Sequence, residues 1–442
     1  MQTDSALLGL EDFLRSDDRR FIIQDGVSLT RTDIGRAAAR LQEVLATFPA
    51  CRVALTSQCA DQIVAALVAC QLCGCDLLLL REHYGEDDPV WQSWDVSVVL
   101  DDKLSIKHCF PWGRGVARAY GPRILLTTSG TTGKPKIAIH SLPALLGRIA
   151  NVKQESARWL LTFHPASFAG LQVLLTAMIS ESELVGTSVP TVANLANSLQ
   201  KHQPSHVSGT PTFWRAILLV LENQGRDIPL KQITIGGESV DQVTIDMLRD
   251  AFPSARITHI YASTEAGALF AVKDGHAGFP AKWLDQDIEG IGLRIRGDVL
   301  EVRSPRTMEK YLTDPIVKVR TEDGWMVTGD LVEQIGDRVV FRGRADDVIN
   351  VGGAKVRPEE VEAALLKMPL VKEIRVFGQK NPISGAIVSA EVVISSDTNE
   401  DQARQAIYSF AKLHLENFKV PRILKFVPEI PINLSGKKCR QR

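Results

Sequence analysis

The sequence predicts an α/β fold in two parts, a large N-terminal α/β domain and a smaller C-terminal α+β domain. Three observations predict it. Helical spacings alternate with short apolar runs through most of the chain. In the middle, each apolar run ends in a polar turn. Toward the C-terminal end the pattern changes twice, to antiparallel strands over 299–343 and then to a smaller alternating unit. A length of 442 residues exceeds one ordinary core and fits more than one domain.

Each element follows in order. "LTRTDIGRAAARLQEVLATF" sets Ile34, Ala38, Leu41 and Leu45 at helical spacing, an apolar stripe for a core. "RVALTS", "DLLLL" and "VSVVLDD" read as short buried strands, and their alternation with helices predicts a largely parallel sheet. The most apolar window, Gln62–Leu80, is interrupted by Gln71 and Asp76 and carries Gly74, so it predicts a helix followed by a strand and not a membrane span. "RWLLTFH", "ELVGTSV", "SHVSGT", "QITIGGES" and "ITHIYAS" each read as a strand running into a turn of Gly, Ser, Thr or His. Ligands of open α/β sheets bind at the carboxyl ends of strands, so these turns are expected to converge on one crevice. "DVLEVRSP" and "GWMVTGDLVEQIGDRVVFRGR" read as antiparallel strands with tight turns at Asp323-Gly324 and Gly336-Asp337. Pro358 followed by two glutamates opens a helix, and a domain boundary falls near Arg344–Asp347.

Composition removes some classes of function. Lys+Arg is 51 and Asp+Glu 52, so no bulk charge directs the chain to nucleic acid or to an anionic membrane. The N-terminal stretch lacks a basic segment followed by an apolar one, so no secretory signal is expected. Seven cysteines, an odd number, predict reduced thiols and a cytoplasmic protein. Cys70, Cys73 and Cys75 could be read as a metal cluster, but no nearby His or second Cys pair completes a tetrahedral set. Small buried residues around a helix end are the expectation.

The most unusual run is "TTSGTTGKPK", Thr127–Lys136. Glycines let backbone N–H groups approach an anion, hydroxyls donate further bonds and lysines add charge, which points to phosphate. The Walker arrangement fails on spacing: Gly130 and Gly133 are too close together, and Pro135 follows Lys134 where a hydroxyl is needed.

The loop resembles the phosphate-binding signature of the adenylate-forming superfamily, which includes acyl-CoA synthetases, peptide-synthetase adenylation domains and firefly-type luciferases. "YASTEAG" (Tyr261–Gly267), "GWMVTGDL" (Gly324–Leu331), "GRADDVINVGGAKVRPEEVE" (Gly343–Glu362) and "FKVPRILKFVPEIPINLSGKKCR" (Phe418–Arg440) resemble further motifs of that family, in its order. The resemblance spans nearly the whole chain. It implies a large ATP- and acyl-binding domain over 1–343, a hinge at 344–346 pivoting on Asp346, and a small mobile lid over 347–442. It implies an ATP-dependent carboxylic acid ligase that forms an acyl-adenylate with loss of pyrophosphate and transfers the acyl group to the thiol of CoA. Two alternatives are an acyl-AMP ligase that loads the phosphopantetheine of an acyl or aryl carrier protein, and a nucleotide-binding scaffold without turnover. Intact Glu265, Asp330 and Lys437 speak against the scaffold.

Residue roles follow from the resemblance. Thr128, Ser129, Gly130, Thr131, Thr132 and Gly133 would cradle the β- and γ-phosphates of ATP, with Lys136 nearby. Thr264 would bond the α-phosphate and Glu265 would ligate Mg²⁺. Tyr261 would stack on adenine, and Gly236, Gly237 and Glu238 would line its edge and the acyl pocket. Asp330 would accept the ribose hydroxyls, assisted by Arg344. Lys437 would stabilise the adenylation transition state, and closure of the small domain would deliver it. His164 would guard the junction of acyl and thiol channels. Amino-acid-activating members carry Asp there to pair the substrate ammonium, so a free α-amino acid is not expected. Phe168, Gly209, Thr210 and Pro211 would complete the acyl wall. Small residues and few charges there predict an uncharged aryl or medium aliphatic acid. Ala262 stands where Gly is usual, Asn350 where a second lysine is common, and "PINLSGK" departs from the usual closing segment.

Overall fold

The computed structural model describes residues 18–48, 50–112, 121–128, 136–150, 152, 156–222, 228–313, 320–382, 384–395, 398–430 and 438. Two sheets with parallel centres form its bulk. One has eight strands, in the order Gly267–Val272, Arg256–Ser263, Gln232–Gly236, His206–Gly209, Arg158–Leu160, Glu183–Gly186, Arg20–Gln24 and Val27–Thr30. Only its two outermost pairings are antiparallel. The other has seven strands, in the order Lys310–Tyr311, Lys136–Ser141, Arg123–Thr128, Asp76–Leu80, Arg52–Thr56, Val98–Leu100 and Ile106–Cys109. The two are welded by one large apolar core that takes in the helices Arg31–Leu45, Ala60–Leu72 and Phe168–Ile179.

Local chemistry explains these elements. The first helix starts at Thr30, which forms a reciprocal capping box with Asp33, and it buries Ile34, Ala38, Leu41 and Leu45 as their spacing predicts. The window Gln62–Leu80 folds as the helix Ala60–Leu72 and the fully buried strand Asp76–Leu80. Cys70 and Cys75 are buried on either side of that helix end. No helix of the described residues is long and apolar enough to cross a membrane.

A third sheet, antiparallel and five-stranded, orders Phe279–Pro280, Arg338–Arg344, Met326–Ile335, Val299–Arg303 and Gly292–Arg296. Gly336 and Gly324 both take positive φ at the two tight turns expected from the sequence, where a side chain would be strained. Residues from Ile349 onward build their own sheet from Ala354–Val356, Ile349–Val351, Gly385–Ile394, Val371–Asn381 and Ile423–Phe426. The helices Pro358–Leu365 and Glu400–His414 pack on it, and every buried residue of that core lies between 349 and 424. Pro358 occupies the first helical turn, where its missing N–H costs nothing.

Candidate active site

The hydroxyl–glycine segment joins two paired strands. Arg123–Thr128 and Lys136–Ser141 run antiparallel, and their last rung is Thr128 opposite Lys136. Ser129, Gly130, Thr131, Thr132 and Gly133, between them, lie outside the described residues, as does Lys437. The Lys136 ammonium stands 5.4 Å from the centre of the Tyr311 ring, a cation–π contact. The Tyr311 hydroxyl donates to Glu265 Oε1 at 2.7 Å. Tyr311 arrives on the short strand Lys310–Tyr311, which pairs with Lys136–Ser141. The base of the loop and Glu265 are thus tied through a residue that no motif announced.

Glu265 is half-buried, and its backbone carbonyl accepts from Met308 N–H at 2.8 Å. Among the described residues no group of three or more His, Cys, Asp or Glu side chains could hold a metal by themselves. A lone carboxylate suits Mg²⁺, which keeps water ligands and takes others from phosphate oxygens.

A second cluster gathers Asp330, Arg344 and Tyr261. Asp330 and Arg344 are cross-strand partners, and a register shift follows Asp330. Gly329, at φ +75°, and this bulge turn the carboxylate toward its partners. Asp330 Oδ1 accepts from Arg344 Nη1 at 3.0 Å, and Oδ2 accepts from the Tyr261 hydroxyl. Burial, reinforced by the Asp330 charge, pushes the Tyr261 phenol well above its ordinary pKa, so it stays a donor. The Tyr261 ring lies nearly parallel to Phe341 at 4.8 Å and to Phe270 at 5.2 Å. The charge of Arg344 is felt by Glu265 as well as by Asp330.

Beside this cluster opens a cavity of about 160 Å³. Its walls include Trp159, Phe163, Phe168, Val173 and Ile149, with Gln172, Thr176, Ser208 and Thr234 as polar points. Gly236, Gly237 and Thr264 close the side toward Glu265. A Cβ on Gly236 would stand 2.8 Å from the Ile260 carbonyl oxygen, and Gly237 takes φ +84°, so both glycines are needed for the strand end to hug its neighbour. Of the residues expected in the acyl pocket, Phe168 lines this cavity, while His164, Gly209, Thr210 and Pro211 do not. Gly209 is packed so tightly that a Cβ would fall 2.2 Å from the Phe213 ring. No carboxylate lines the cavity among the described residues.

One charge does line it, at a position that no motif singles out. Arg148 faces the cavity, and its Nη1 is 3.6 Å from Glu289 Oε2. The same oxygen is 3.4 Å from Arg306 Nη2. Two guanidinium groups share one carboxylate, which leaves an excess positive charge at this edge of the cavity.

His164 is buried, and burial, aided by the charge of Arg81, lowers its pKa to about 4. It is therefore neutral at neutral pH. Its Nδ1 accepts from Ala166 N–H at 3.1 Å, so the ring proton sits on Nε2, which has no hydrogen-bond partner. His140 is fully buried, and neither of its ring nitrogens makes a hydrogen bond of good geometry. Burial lowers its pKa to about 4 against the opposing pull of the Thr264 backbone and the Glu265 charge. Its ring centre is 5.8 Å from that of Phe168, so it sits behind both the cavity and the acidic residue.

Glu238 faces another way. Its Oε2 accepts from Thr212 N–H at 3.2 Å and Thr212 Oγ1 at 2.7 Å, and its Oε1 accepts from Lys438 N–H at 2.9 Å. It borders a separate cavity of about 240 Å³ between the N-terminal sheets and the C-terminal unit. Asp346 lies in the short 3-10 turn Ala345–Asp347, with its Oδ2 3.8 Å from Arg344 Nη2. Tyr311, Arg148, His140 and Lys438 are the residues of this region that sequence reasoning missed.

Comparison with known proteins agrees with this geometry. Residues 118–312 match the AMP-binding enzyme family, and residues 360–437 match the AMP-binding enzyme C-terminal domain. The 2-succinylbenzoate–CoA ligase of Bacillus velezensis is 26% identical over 92% of this chain and 90% of that enzyme. The mitochondrial acyl-coenzyme A synthetase ACSM1 of Homo sapiens is 27% identical over 76% of this chain, which spans only 64% of the human enzyme's length. The crystal structure of an anthranilate CoA ligase in complex with anthranoyl-AMP superposes with a TM-score of 0.80 over 98% of this chain and 95% of that one, at 18% identity, a likeness of fold. With both family domains matched in sequence order, the chain belongs to the adenylate-forming superfamily of AMP-binding enzymes.

Proposed function

We propose that the chain is an ATP-dependent acid–thiol ligase. In the first step a carboxylate oxygen bonds to the α-phosphorus of ATP and the bond to pyrophosphate breaks. In the second the thiol sulfur of CoA bonds to the acyl carbon and AMP leaves. The observation that carries the reading is the seam at Thr264 and Glu265. Thr264 lines the apolar cavity, while Glu265 faces the Tyr311 hydroxyl, whose ring Lys136 covers, and feels the charge of Arg344. An acid in the cavity and a nucleotide on Asp330 would meet there, and catalysis would be positioning and charge neutralisation.

In this reading Lys136 and the hydroxyl–glycine segment hold the pyrophosphate end, and Asp330 and Arg344 hold the ribose. Mg²⁺ on Glu265 would supply positive charge at the phosphates. The unit over 347–442 turns on Asp346 between the two steps. The neutral His164 offers no fixed negative charge for a substrate ammonium, which argues against a free α-amino acid.

The cavity supports an acid whose side group is about one aromatic ring. A cavity of about 150 Å³ suffices for benzene. The surplus charge at Arg148 revises the expectation of a wholly uncharged acid and favours one with a second carboxylate or another acceptor. The aromatic acid named for one similar protein, 2-succinylbenzoate, has this character.

The test is ATP–pyrophosphate exchange with benzoate, 2-aminobenzoate, 2-succinylbenzoate and octanoate, repeated with CoA and with a phosphopantetheinylated carrier protein as acceptors. The reading expects exchange with an aromatic acid and thioester on CoA. Arg148→Met should lose activity with the dicarboxylate and spare benzoate. Thioester on the carrier alone would replace CoA as the acceptor. Exchange with none of the acids would favour a binding scaffold.

A further inference from the structure

The residue that follows Lys437 is tied into both halves of the protein. Lys438 is buried, with its side chain 4% exposed. Its Nζ donates to Ile374 O at 2.6 Å and to Glu362 Oε2 at 3.3 Å, and lies 2.9 Å from Glu373 Oε1. An ammonium has three N–H donors, and three acceptors of the C-terminal unit surround it. Its backbone N–H points the other way, to Glu238 Oε1 at the end of the strand Gln232–Gly236. Thr212, at the start of the helix Pro211–Glu222, fixes the second oxygen of Glu238.

Glu373 makes the second tie. Its Oε1 serves Lys438, while Oε2 accepts from Arg215 Nε at 2.6 Å. Arg215 belongs to the helix Pro211–Glu222 and is held there by Thr244 Oγ1 at 2.6 Å and by Asp241 Oδ2 at 3.2 Å. Both Arg215 and Glu373 have side chains only 5% exposed. Burial opposes ionisation of Glu373, but the charges of Arg215 and Lys438 hold its carboxyl below the usual range.

We propose that Lys438 is a positioning residue and that, with the Arg215–Glu373 pair, it forms a clasp that sets the C-terminal unit for adenylation and opens before thiol transfer. The inference rests on the reading that Lys437 acts in the first step. The physical case comes from the nature of the contact. A buried ion pair gains little net stability over hydrated ions, because desolvation offsets the attraction, yet it is strict about geometry. Water can re-solvate Arg215 and Glu373 when the units part. A clasp of charge therefore fits a contact made and broken in every turnover, where an apolar seam of the same area would resist opening.

The experiment compares wild type, Arg215→Met, Arg215→Lys and Lys438→Met as full-length proteins, with melting temperature as a control. Hydrogen–deuterium exchange with ATP and Mg²⁺ present reads the contact without any acid. Amides at the start of the helix Pro211–Glu222 and in the strand Val371–Asn381 should lose protection in both Met variants and recover in part in Arg215→Lys. The two steps are then read separately, as pyrophosphate exchange with the best acid of the panel and as CoA thioester formation from the preformed acyl-adenylate. The clasp predicts that exchange falls about tenfold or more, a loss of about 1.4 kcal/mol of transition-state positioning. Thioester formation from the supplied adenylate should be unchanged or faster. Unchanged protection in the Met variants would overturn the proposal, and so would an equal fall in both steps with a fall in melting temperature. A wild-type protein that activates no acid would refute the functional reading alone, since the protection data still decide whether the clasp exists.

Discussion

Replacing Asp330 by asparagine keeps the shape of the side chain and removes its charge. In the structure both carboxylate oxygens are engaged, Oδ1 by Arg344 and Oδ2 by Tyr261. Asparagine has one acceptor oxygen and one amide donor. Its oxygen would turn to Arg344, and the Tyr261 hydroxyl would become the acceptor of the amide. Arg344 has a side chain 45% exposed, so water screens much of the lost ion pair. The stability loss should be about 1 kcal/mol. A ribose held as proposed would lose more. Two hydroxyl donors need two acceptors, and the variant leaves one of them facing an amide N–H. A hydrogen bond to a charged group contributes about 1.5–3 kcal/mol, which raises the KM for ATP about 10- to 100-fold. The assay is the ATP dependence of acid-supported pyrophosphate exchange, with thermal unfolding in parallel. A KM for ATP within about twofold of wild type, whatever the change in stability, would refute the assignment of Asp330 to the nucleotide.

Three further outcomes are expected. Glu265→Gln keeps an acceptor for the Tyr311 hydroxyl and loses the charge, so it should fold normally and need far more Mg²⁺ for exchange; an unaltered Mg²⁺ dependence would contradict the metal role. Gly267→Ala places a Cβ 2.1 Å from the Arg306 carbonyl oxygen at φ +75° and should cost about 2 kcal/mol or more, read by urea unfolding. His140, His164 and His259 have pKa values lowered to about 4 from the ordinary 6.5, first of all by burial. Their folded pKa lies below the unfolded one, so the stability they protect is complete above pH 6.5 and is lost as pH falls through about 4. Each contributes up to about 3 kcal/mol to that loss. His259→Phe, beside Phe341, should shift the acid-unfolding midpoint downward, and an unshifted midpoint would show that carboxylates alone set it.

Much of this fold could be read from short-range pattern. The helix Arg31–Leu45 shows its stripe and its capping box in consecutive residues, and the turns at Gly324 and Gly336 announce themselves by composition. The ordered motifs identified the superfamily because each is a contiguous run. Contacts between distant residues gave no such signal. Tyr311 stands in a polar segment, yet it reaches Glu265 from 46 positions away. Arg148 follows the helix Leu142–Leu146 without any pattern, and only packing aims it at the acyl cavity. Glu238 shares the "GGES" turn with Gly236 and Gly237, but its side chain points to the opposite face, toward Thr212 and Lys438. Lys438 looks in the sequence like one more lysine near the C-terminal end, and its burial appears only when Glu362 and Ile374, 76 and 64 positions earlier, are brought around its ammonium.

In the proposed first step the carboxylate oxygen of the acid becomes bonded to the α-phosphorus of ATP. Oxygen-18 transfer tests it directly. The acid that supports exchange is labelled in its carboxylate and turned over with ATP and CoA, and the phosphorus products are analysed by mass. The account predicts one labelled oxygen in AMP and none in pyrophosphate. Label in inorganic phosphate, with ADP as the second product, would mean attack at the γ-phosphate and would contradict it.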